Sequence, residues 1–537
     1  PRTTDSNLLL GNNLWYYSNP QRYLGIIHSV FFTPDMPAIN NWFPDHGAQW
    51  ASLSAYIPMF SAGGVIAWCL AKRNDWLKRI IITSGIMALV PMLNHLFVLE
   101  NYSYYARWFY MPTLMMWLAT AKAVEEGGEN GEVNLPRGMR ATAAVMILLL
   151  VMVGLTPKRV DEVWSLGSYK YLGQFLATAA ITLAGFLAAA LLLRERSSPT
   201  FKKKFAALAI VGCCLYTFST LMIGKATYPD NRWITETALP GRDKMSMDIE
   251  GEFSRCDIYK DNDNLGMYWN LPNIQAFHSV VPTSIMEFYP QVGVKRDVSS
   301  KPDTKFPELR SLLSVRWLYI DETKTEQAPM RGYTLADNRM GYNIYENDNY
   351  IPMGFTYDYY LDSADWKSID KDSRARALLY GVYGDDETIA ANGDILEHAD
   401  MGSWQVNDFS DYAARRAEQS CKSFTVDNDG FSATSDFAED ELVFFSVPWD
   451  KGWSAKVNGE EAEIRKVNVG FMAVRVPAGV GEIRFVYRTP GLYLGGAITG
   501  VGLLLLAVWL CFTRHLPPEK RRSNWEQLAI DGFEDEI

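Results

Sequence analysis

Six cysteines are spread over 537 residues, with no CxxC pair and no Cys/His cluster of the kind that supplies a tetrahedral zinc site. No metal and no cofactor is therefore expected. Also missing are GxSxG, HExxH, and a Gly-rich phosphate loop ending in Lys-Ser/Thr, so a soluble hydrolase, kinase or metalloprotease is unsupported. Positive charge is not in excess either. With 51 Lys and Arg against 62 Asp and Glu, the net charge is -11, which argues against a nucleic-acid partner needing clustered cations. The chain starts at Pro1 with neither Met nor a signal-peptide pattern and is read as a piece of a longer protein. Cys69, Cys213, Cys214 and Cys511 fall in apolar runs, where small buried hydrophobes are the plain reading. Cys256 and Cys421 lie in the polar block; an oxidising compartment would allow them to pair, but spacing alone does not decide it.

What is present is organised around Val443–Leu510. Phe444, Trp449 and Trp453 sit among strand formers, and Asn458-Gly459 suits a tight type I′ turn, in which both central residues need φ > 0. Pro477-Ala478-Gly479 marks a second turn, and Glu482 to Arg488 alternates polar with apolar as a half-buried strand does. Leu492–Phe512 then follows without a charge. At about 1.5 Å per residue it can cross a hydrocarbon core of roughly 30 Å. A β-domain is thus tied directly to a membrane helix.

Six more apolar runs precede it: Ser52–Leu70, Ile80–Leu99, Trp108–Ala121, Ala141–Leu155, Tyr171–Leu193 and Phe205–Gly224. The third and fourth are short for a span of ~17–25 residues. The predicted fold class is a polytopic α-helical membrane protein with an extracytoplasmic α+β region ending in a β-sandwich. Residues 1–51 form an aromatic interfacial segment and 52–225 a membrane domain of about six spans. An α+β domain covers 226–420, a β-sandwich 421–490, the last span 491–513 and a tail 514–537. If Ser52 starts outside, the loops with Lys72 and Arg79, Lys122 and Arg140, Arg194 and Lys204, and the tail with Lys520 to Arg522, share one side. The positive-inside rule makes that side cytoplasmic.

Chemistry is densest in NHLFVLENYSYYARWFYMP, Asn94 to Pro112, at the external mouth between the second and third runs. Here stand His95, Glu100, Tyr102, Tyr104, Tyr105, Arg107, Trp108 and Tyr110. Arg107 can hold a phosphate with its planar fork of donors, and the tyrosines can stack on a sugar or a lipid headgroup. The competing reading is an aromatic belt with an interfacial Arg and no ligand. Asp45-His46 offers an acid–base pair or, more plainly, a turn with a helix cap. Trp449, Asp450 and Trp453 suit either carbohydrate contact or core packing.

FFSVPWDKGWSAKVNGEEAEIRKVNVGFMAVRVPAGVGEIRFVYRTPGLYLG resembles the C-terminal signature of the bacterial YfhO membrane proteins, in which P-[YW]-D-x-GW, v-[DN]-G and P-a-G elements precede the last span. GYNIYENDNYIPMGFTYD, NLPNIQAFHSVVP and NYSYYARWFYMP resemble further elements of that family, from about Trp42 to Arg514. The resemblance implies a multi-pass protein of the bacterial cytoplasmic (inner) membrane, with its large domain extracytoplasmic. It also implies a likeness to GT-C glycosyltransferases, which move a sugar from a polyprenyl-phosphate carrier to an envelope polymer on the external face. Membrane lipid, the polyprenyl-phosphate-linked sugar and the polymer acceptor are the partners so implied. In GT-C enzymes the catalytic carboxylate sits on the first external loop near the N-terminus, which is read as lying upstream here. No catalytic residue is therefore assigned; the substrate-binding residues expected are Arg107, Tyr104, Tyr105, Glu100 and His95. The alternative is a non-catalytic scaffold or export factor whose external domain binds envelope polymer or partner proteins.

Overall fold

The computed structural model describes residues 15–17, 20–36, 40–44, 54–96, 106–127, 132–160, 163–227, 232–247, 252–275, 277, 281–295, 301–324, 329–402 and 409–514. They fall into two compact units, Asp5–Asn231 and Arg232–Ile537.

The N-terminal unit contains helices α1 (Gln21–Phe31), α2 (Gly63–Ala71), α3 (Trp76–Leu89), α4 (Pro91–His95), α5 (Tyr110–Glu126), α6 (Leu135–Leu155), α7 (Leu172–Leu192) and α8 (Phe201–Thr227). A hairpin of β1 (Pro157–Val160) and β2 (Val163–Leu166) joins α6 to α7. Among the described residues four helical stretches are long and apolar enough to cross a membrane: Leu135–Leu155, Leu172–Glu195, Lys203–Ala226 and, in the other unit, Leu492–Arg514.

The run at Ala141–Leu155 is longer than its uncharged part because the helix starts earlier. The Asn134 side chain accepts from the Arg137 N–H at 3.0 Å, and Pro136 occupies the first turn, where its missing N–H costs nothing. The runs at Ser52–Leu70 and Ile80–Leu99 do not form helices of spanning length among the described residues, and the helix on Trp108–Ala121 is at the short limit. In the first, residues 58–62 are turns, with Met59 and Ser61 at φ 71° and 49°, and only nine residues are helical. That short helix is a wedge: a Cβ on Gly64 would come 2.7 Å from Thr120 Cα, and one on Gly138 would come 2.6 Å from Ala67 N. Backbones of α2, α5 and α6 therefore touch where side chains are smallest. In the second, α3 stops at Val90, since Pro91 lacks an N–H to continue the ladder and starts α4 instead. In the third, α5 is 17 residues long and reaches Glu126.

The C-terminal unit opens with a sheet of β3 (Arg255–Ile258), β4 (Val315–Asp321), β5 (Tyr333–Arg339) and β6 (Tyr342–Asn347), in the order β3-β4-β6-β5 with β3 and β4 parallel. Three short parallel strands follow, β7 (Tyr359–Leu361), β8 (Val382–Tyr383) and β9 (Glu397–His398), carried by helices Arg374–Tyr380 and Asp386–Asn392. Then comes an antiparallel region of β10 (Ser423–Val426), β11 (Gly430–Phe437), β12 (Glu441–Pro448), β13 (Trp453–Val457), β14 (Glu460–Ala462), β15 (Arg465–Val467), β16 (Phe471–Val476) and β17 (Gly479–Tyr487). These make a five-stranded sheet, β10-β11-β17-β13-β14, and a three-stranded one, β12-β16-β15.

Phe431, Ile483 and Phe485 of the larger sheet share one core with Val443, Phe445, Met472 and Val474 of the smaller. The other face of the smaller sheet, Phe444, Phe471 and Ala473, belongs to a core with Phe288, Leu309 and Leu378. β12 is buried on both faces, which is why Leu442–Phe445 reads as a continuous apolar run and not an alternation. Arg255 fastens the same join, donating to the Ser446 Oγ at 2.7 Å and the Leu313 carbonyl at 2.8 Å. Asn458 and Gly459, at φ 52° and 85°, form the expected turn between β13 and β14. Cys256 and Cys421 are buried in separate cores and do not pair with each other.

Candidate functional site

The Asn94–Pro112 stretch is described at both of its ends. Pro91 fixes the start of α4 and turns Asn94 and His95 inward, leaving them 0% and 8% exposed. At the far end a 3-10 turn, Arg107–Phe109, feeds α5. Trp108 Nε1 donates to Asn94 Oδ1 at 2.9 Å, so this hydrogen bond closes the loop and sets the Arg107 backbone beside α4. Glu100, Tyr102, Tyr104 and Tyr105 lie outside the described residues, as does the Arg107 side chain. Asp45 and His46 lie outside them too.

The fold adds residues that the linear pattern did not single out. Arg22 of α1, 6% exposed, lies within electrostatic reach of His95 and stacks its guanidinium 5.3 Å from the Tyr17 ring centroid. Tyr17 packs edge-on to Tyr23 at 5.5 Å and donates to the Ala88 carbonyl at 3.3 Å. Burial pushes the Tyr17 phenol well above its ordinary value, against the pull of Arg22, so it stays a neutral hydroxyl. The signal in the sequence was an Arg beside a Tyr in an otherwise apolar helix. Its partner is more than 70 positions away, which no local pattern reveals.

A buried cation, an imidazole and phenols therefore meet beside the entry to α5. Among the described residues His95 Nδ1 has no hydrogen-bond partner. Buried polar atoms left unmet are uncommon and call for a ligand or water.

The candidate at Trp449, Asp450 and Trp453 is tied into the β-rich unit. Asp450 Oδ1 accepts from the Gly452 N–H at 2.8 Å and the Tyr487 hydroxyl at 3.3 Å, holding a turn. Trp453 packs on Phe431, Phe485 and Tyr487 at 5.5, 6.2 and 5.1 Å, and Trp449 lies under the Lys466 ammonium at 5.4 Å. Asp362, Asp365 and His398 bring ligand-type atoms within 4.8 Å of one another. Two of them are already used as a capping box, with Asp362 accepting from the N–H groups of Ala364 and Asp365 and Asp365 accepting from that of Asp362. His398 Nε2 completes the group at 3.0 Å from Asp365.

Long apolar helices joined to a β-rich unit define the class: a membrane protein carrying a β domain. Over residues 52–397 and again over 392–499 the sequence matches the family described as "Bacterial membrane protein YfhO", and the chain belongs to that family. This bears out the resemblance carried by the Pro-Trp-Asp, Asn-Gly and Pro-Ala-Gly elements. A 73-residue stretch is 27% identical to the "Uncharacterized protein YfhO" of Bacillus subtilis (strain 168). The match covers 14% of this chain and 8% of that protein's length. No solved structure matches the chain.

Proposed function

We propose that this protein is a multi-pass, GT-C-like glycosyltransferase of the bacterial cytoplasmic membrane, moving a sugar from a polyprenyl-phosphate carrier to a cell-envelope polymer. In this reading the positive-inside pattern puts the unit from Arg232 to Pro490 outside the membrane, its two sheets forming a sandwich. The observation that carries it is the buried cluster of Arg22, His95 and Asn94 at the Arg107 entry to α5, in which His95 Nδ1 has no hydrogen-bond partner among the described residues. A lipid-borne donor needs such a place, because its phosphate must be neutralised while its chain stays in lipid. Arg107 would take the carrier phosphate through paired N–H donors, and Tyr104 and Tyr105 would stack on the sugar. Glu100 and His95 would complete the contacts to its hydroxyls.

In the transfer the acceptor hydroxyl oxygen attacks the anomeric carbon and the bond from that carbon to the phosphate oxygen breaks. The carrier phosphate leaves with the electron pair, and the hydroxyl proton passes to a base. Arg107 acts by stabilising charge on the leaving phosphate. Sugar incorporation into envelope polymer by the full-length protein tests this. Arg107→Ala is expected to lower incorporation about 100-fold or more, with Arg107→Lys in between. Equal incorporation by wild type and Arg107→Ala would remove Arg107 from the mechanism.

A further inference from the structure

Both ends of the C-terminal unit's folded part are tied to membrane-length helices by short tethers. Arg232 follows Thr227, the end of α8, by five peptide links, and Leu492, the start of the last helix, follows Tyr487 of β17 by five more. Five extended residues reach at most roughly 18 Å, less than the width of a small domain. A unit held so closely at two points lies against the bilayer surface.

Next to the first tether, apolar side chains stay uncovered. Among the described residues from Arg232 to Tyr487, eight large apolar side chains are exposed, and four of them, Leu239, Met267, Tyr268 and Phe277, fall between positions 239 and 277. Met267 is 70% exposed and Leu239 55%. These four gather around one short helix, Leu265–Tyr268. Trp233, in the helical stretch 232–241, packs edge-on to the Tyr268 ring at 5.7 Å. Trp269 donates from Nε1 to the Thr237 carbonyl at 3.3 Å and so fixes the stretch that carries Leu239 to the same place. From the other side Asn264 grips Phe277. Its Nδ2 donates to the Phe277 carbonyl at 2.9 Å, and its Oδ1 accepts from the Phe277 N–H at 2.8 Å. The apolar surface is therefore preformed, and exposed clusters of this kind mark interaction sites.

The charges around it select the partner. Over 232–247 and 260–277 four Lys and Arg stand against four Asp and Glu, and Asp261 and Asp263 are paired with Lys324 at 3.0 Å and Lys301 at 2.8 Å. No excess of one sign remains to attract an anionic headgroup or a charged peptide. Tyr and Trp favour the boundary between headgroups and acyl chains, where one edge of the ring is wet and the rest is not. Leu, Met and Phe gain by sinking just below that boundary. The tethers bring the unit to the bilayer, and this surface has the composition of an interfacial anchor.

We propose that Leu239, Met267, Tyr268 and Phe277 form a docking surface for the lipid bilayer itself, seated in the headgroup region of the leaflet that the C-terminal unit faces. The inference rests neither on sugar transfer nor on which side of the membrane the unit occupies. The test uses the full chain in nanodiscs, with native cysteines replaced and a bimane fluorophore attached through Met267→Cys or, as a control, through Glu461→Cys on β14. At position 267 the fluorophore is expected to be quenched by lipids carrying a nitroxide near the headgroup and shielded from aqueous iodide; at position 461 the reverse is expected. Phosphatidylcholine alone should serve as well as a mixture with phosphatidylglycerol, and added salt should change nothing, because no net charge is involved. With Leu239→Ser and Phe277→Ser together, lipid quenching at position 267 should be lost and iodide quenching gained. The melting temperature should hold, since both side chains are already exposed. Four results would each overturn the proposal: iodide quenching at 267 equal to that at 461, shielding from iodide without lipid quenching (a protein cover), a requirement for phosphatidylglycerol, or unchanged quenching in the double variant.

Discussion

The side chains that hold the C-terminal unit together include a charge pair wholly out of water. Arg310 and Asp257 are both 0% exposed, and the guanidinium donates to Asp257 Oδ2 from Nε at 3.0 Å and from a terminal nitrogen at 2.9 Å. Its remaining donors are met by the carbonyls of Pro302, Asp303 and Phe306. Such a pair repays its desolvation only when every donor is met, and removing one member strands the other. Asp257→Ala should therefore cost about 3–5 kcal/mol, seen as a lower denaturation midpoint of the detergent-purified protein, and Asp257→Leu with Arg310→Met should recover most of it. Glu441 behaves differently. Burial, with a smaller push from the Asp358 charge, raises its carboxyl to about 7. A folded-state value above the unfolded one means that this group favours folding fully below about pH 4.3, with the benefit lost as pH rises through 7. Glu441→Gln should leave stability nearly unchanged at pH 5 and raise it by about 1 kcal/mol at pH 8, an amount already reduced for solvent on its open side. Thermal unfolding of both forms at the two pH values measures the difference. Neither residue stands out in sequence: an Asp or a Glu beside apolar neighbours is common, and only the fold shows which one loses its water.

At the level of helices and strands, local chemistry was legible where it is sufficient by itself. Asn458-Gly459 needs left-handed backbone and has it; Pro477-Ala478-Gly479 turns where β16 meets β17, with Gly479 at φ 92°. Leu492–Arg514 is the expected helix, and Leu172–Leu192 and Phe201–Thr227 fall on the expected apolar runs. One run whose helix is shorter than its apolar length is that of α2. Its residues are apolar all round, so hydropathy counts them as part of a span, but the turn at 58–62 delays the helix start to Gly63, and the paired glycines 63 and 64 let it lie against α5 and α6. The contact is backbone to backbone, and bulk there should separate the helices. Gly138→Leu is expected to cost roughly 2–4 kcal/mol by overpacking that strains both backbones, read as loss of monodisperse protein in size-exclusion chromatography and a lower melting temperature. Gly85→Leu, at a glycine with open space around its Cα, is the control that should remain near wild type.

For the molecule as a whole, orientation in the membrane is the property on which the proposed chemistry depends. With native cysteines replaced, Glu461→Cys on the exposed β14 should react with a membrane-impermeant maleimide added to intact cells, and Lys203→Cys in the first turn of α8 should react only after lysis. The reverse pattern would put the β-rich unit in the cytoplasm and end the case for transfer on the external face. The sequence alone determined that this is a membrane protein with a β domain joined to its last helix, and also the family it belongs to. Both follow from signals that are local and additive: uncharged length, turn dipeptides and short ordered motifs. Tertiary structure alone decided which apolar runs become long helices, since that turns on a few glycine contacts. It also decided that Arg22 joins His95, and that Trp233 meets Tyr268. Those meetings depend on distances through space between residues far apart along the chain, and no local pattern encodes them.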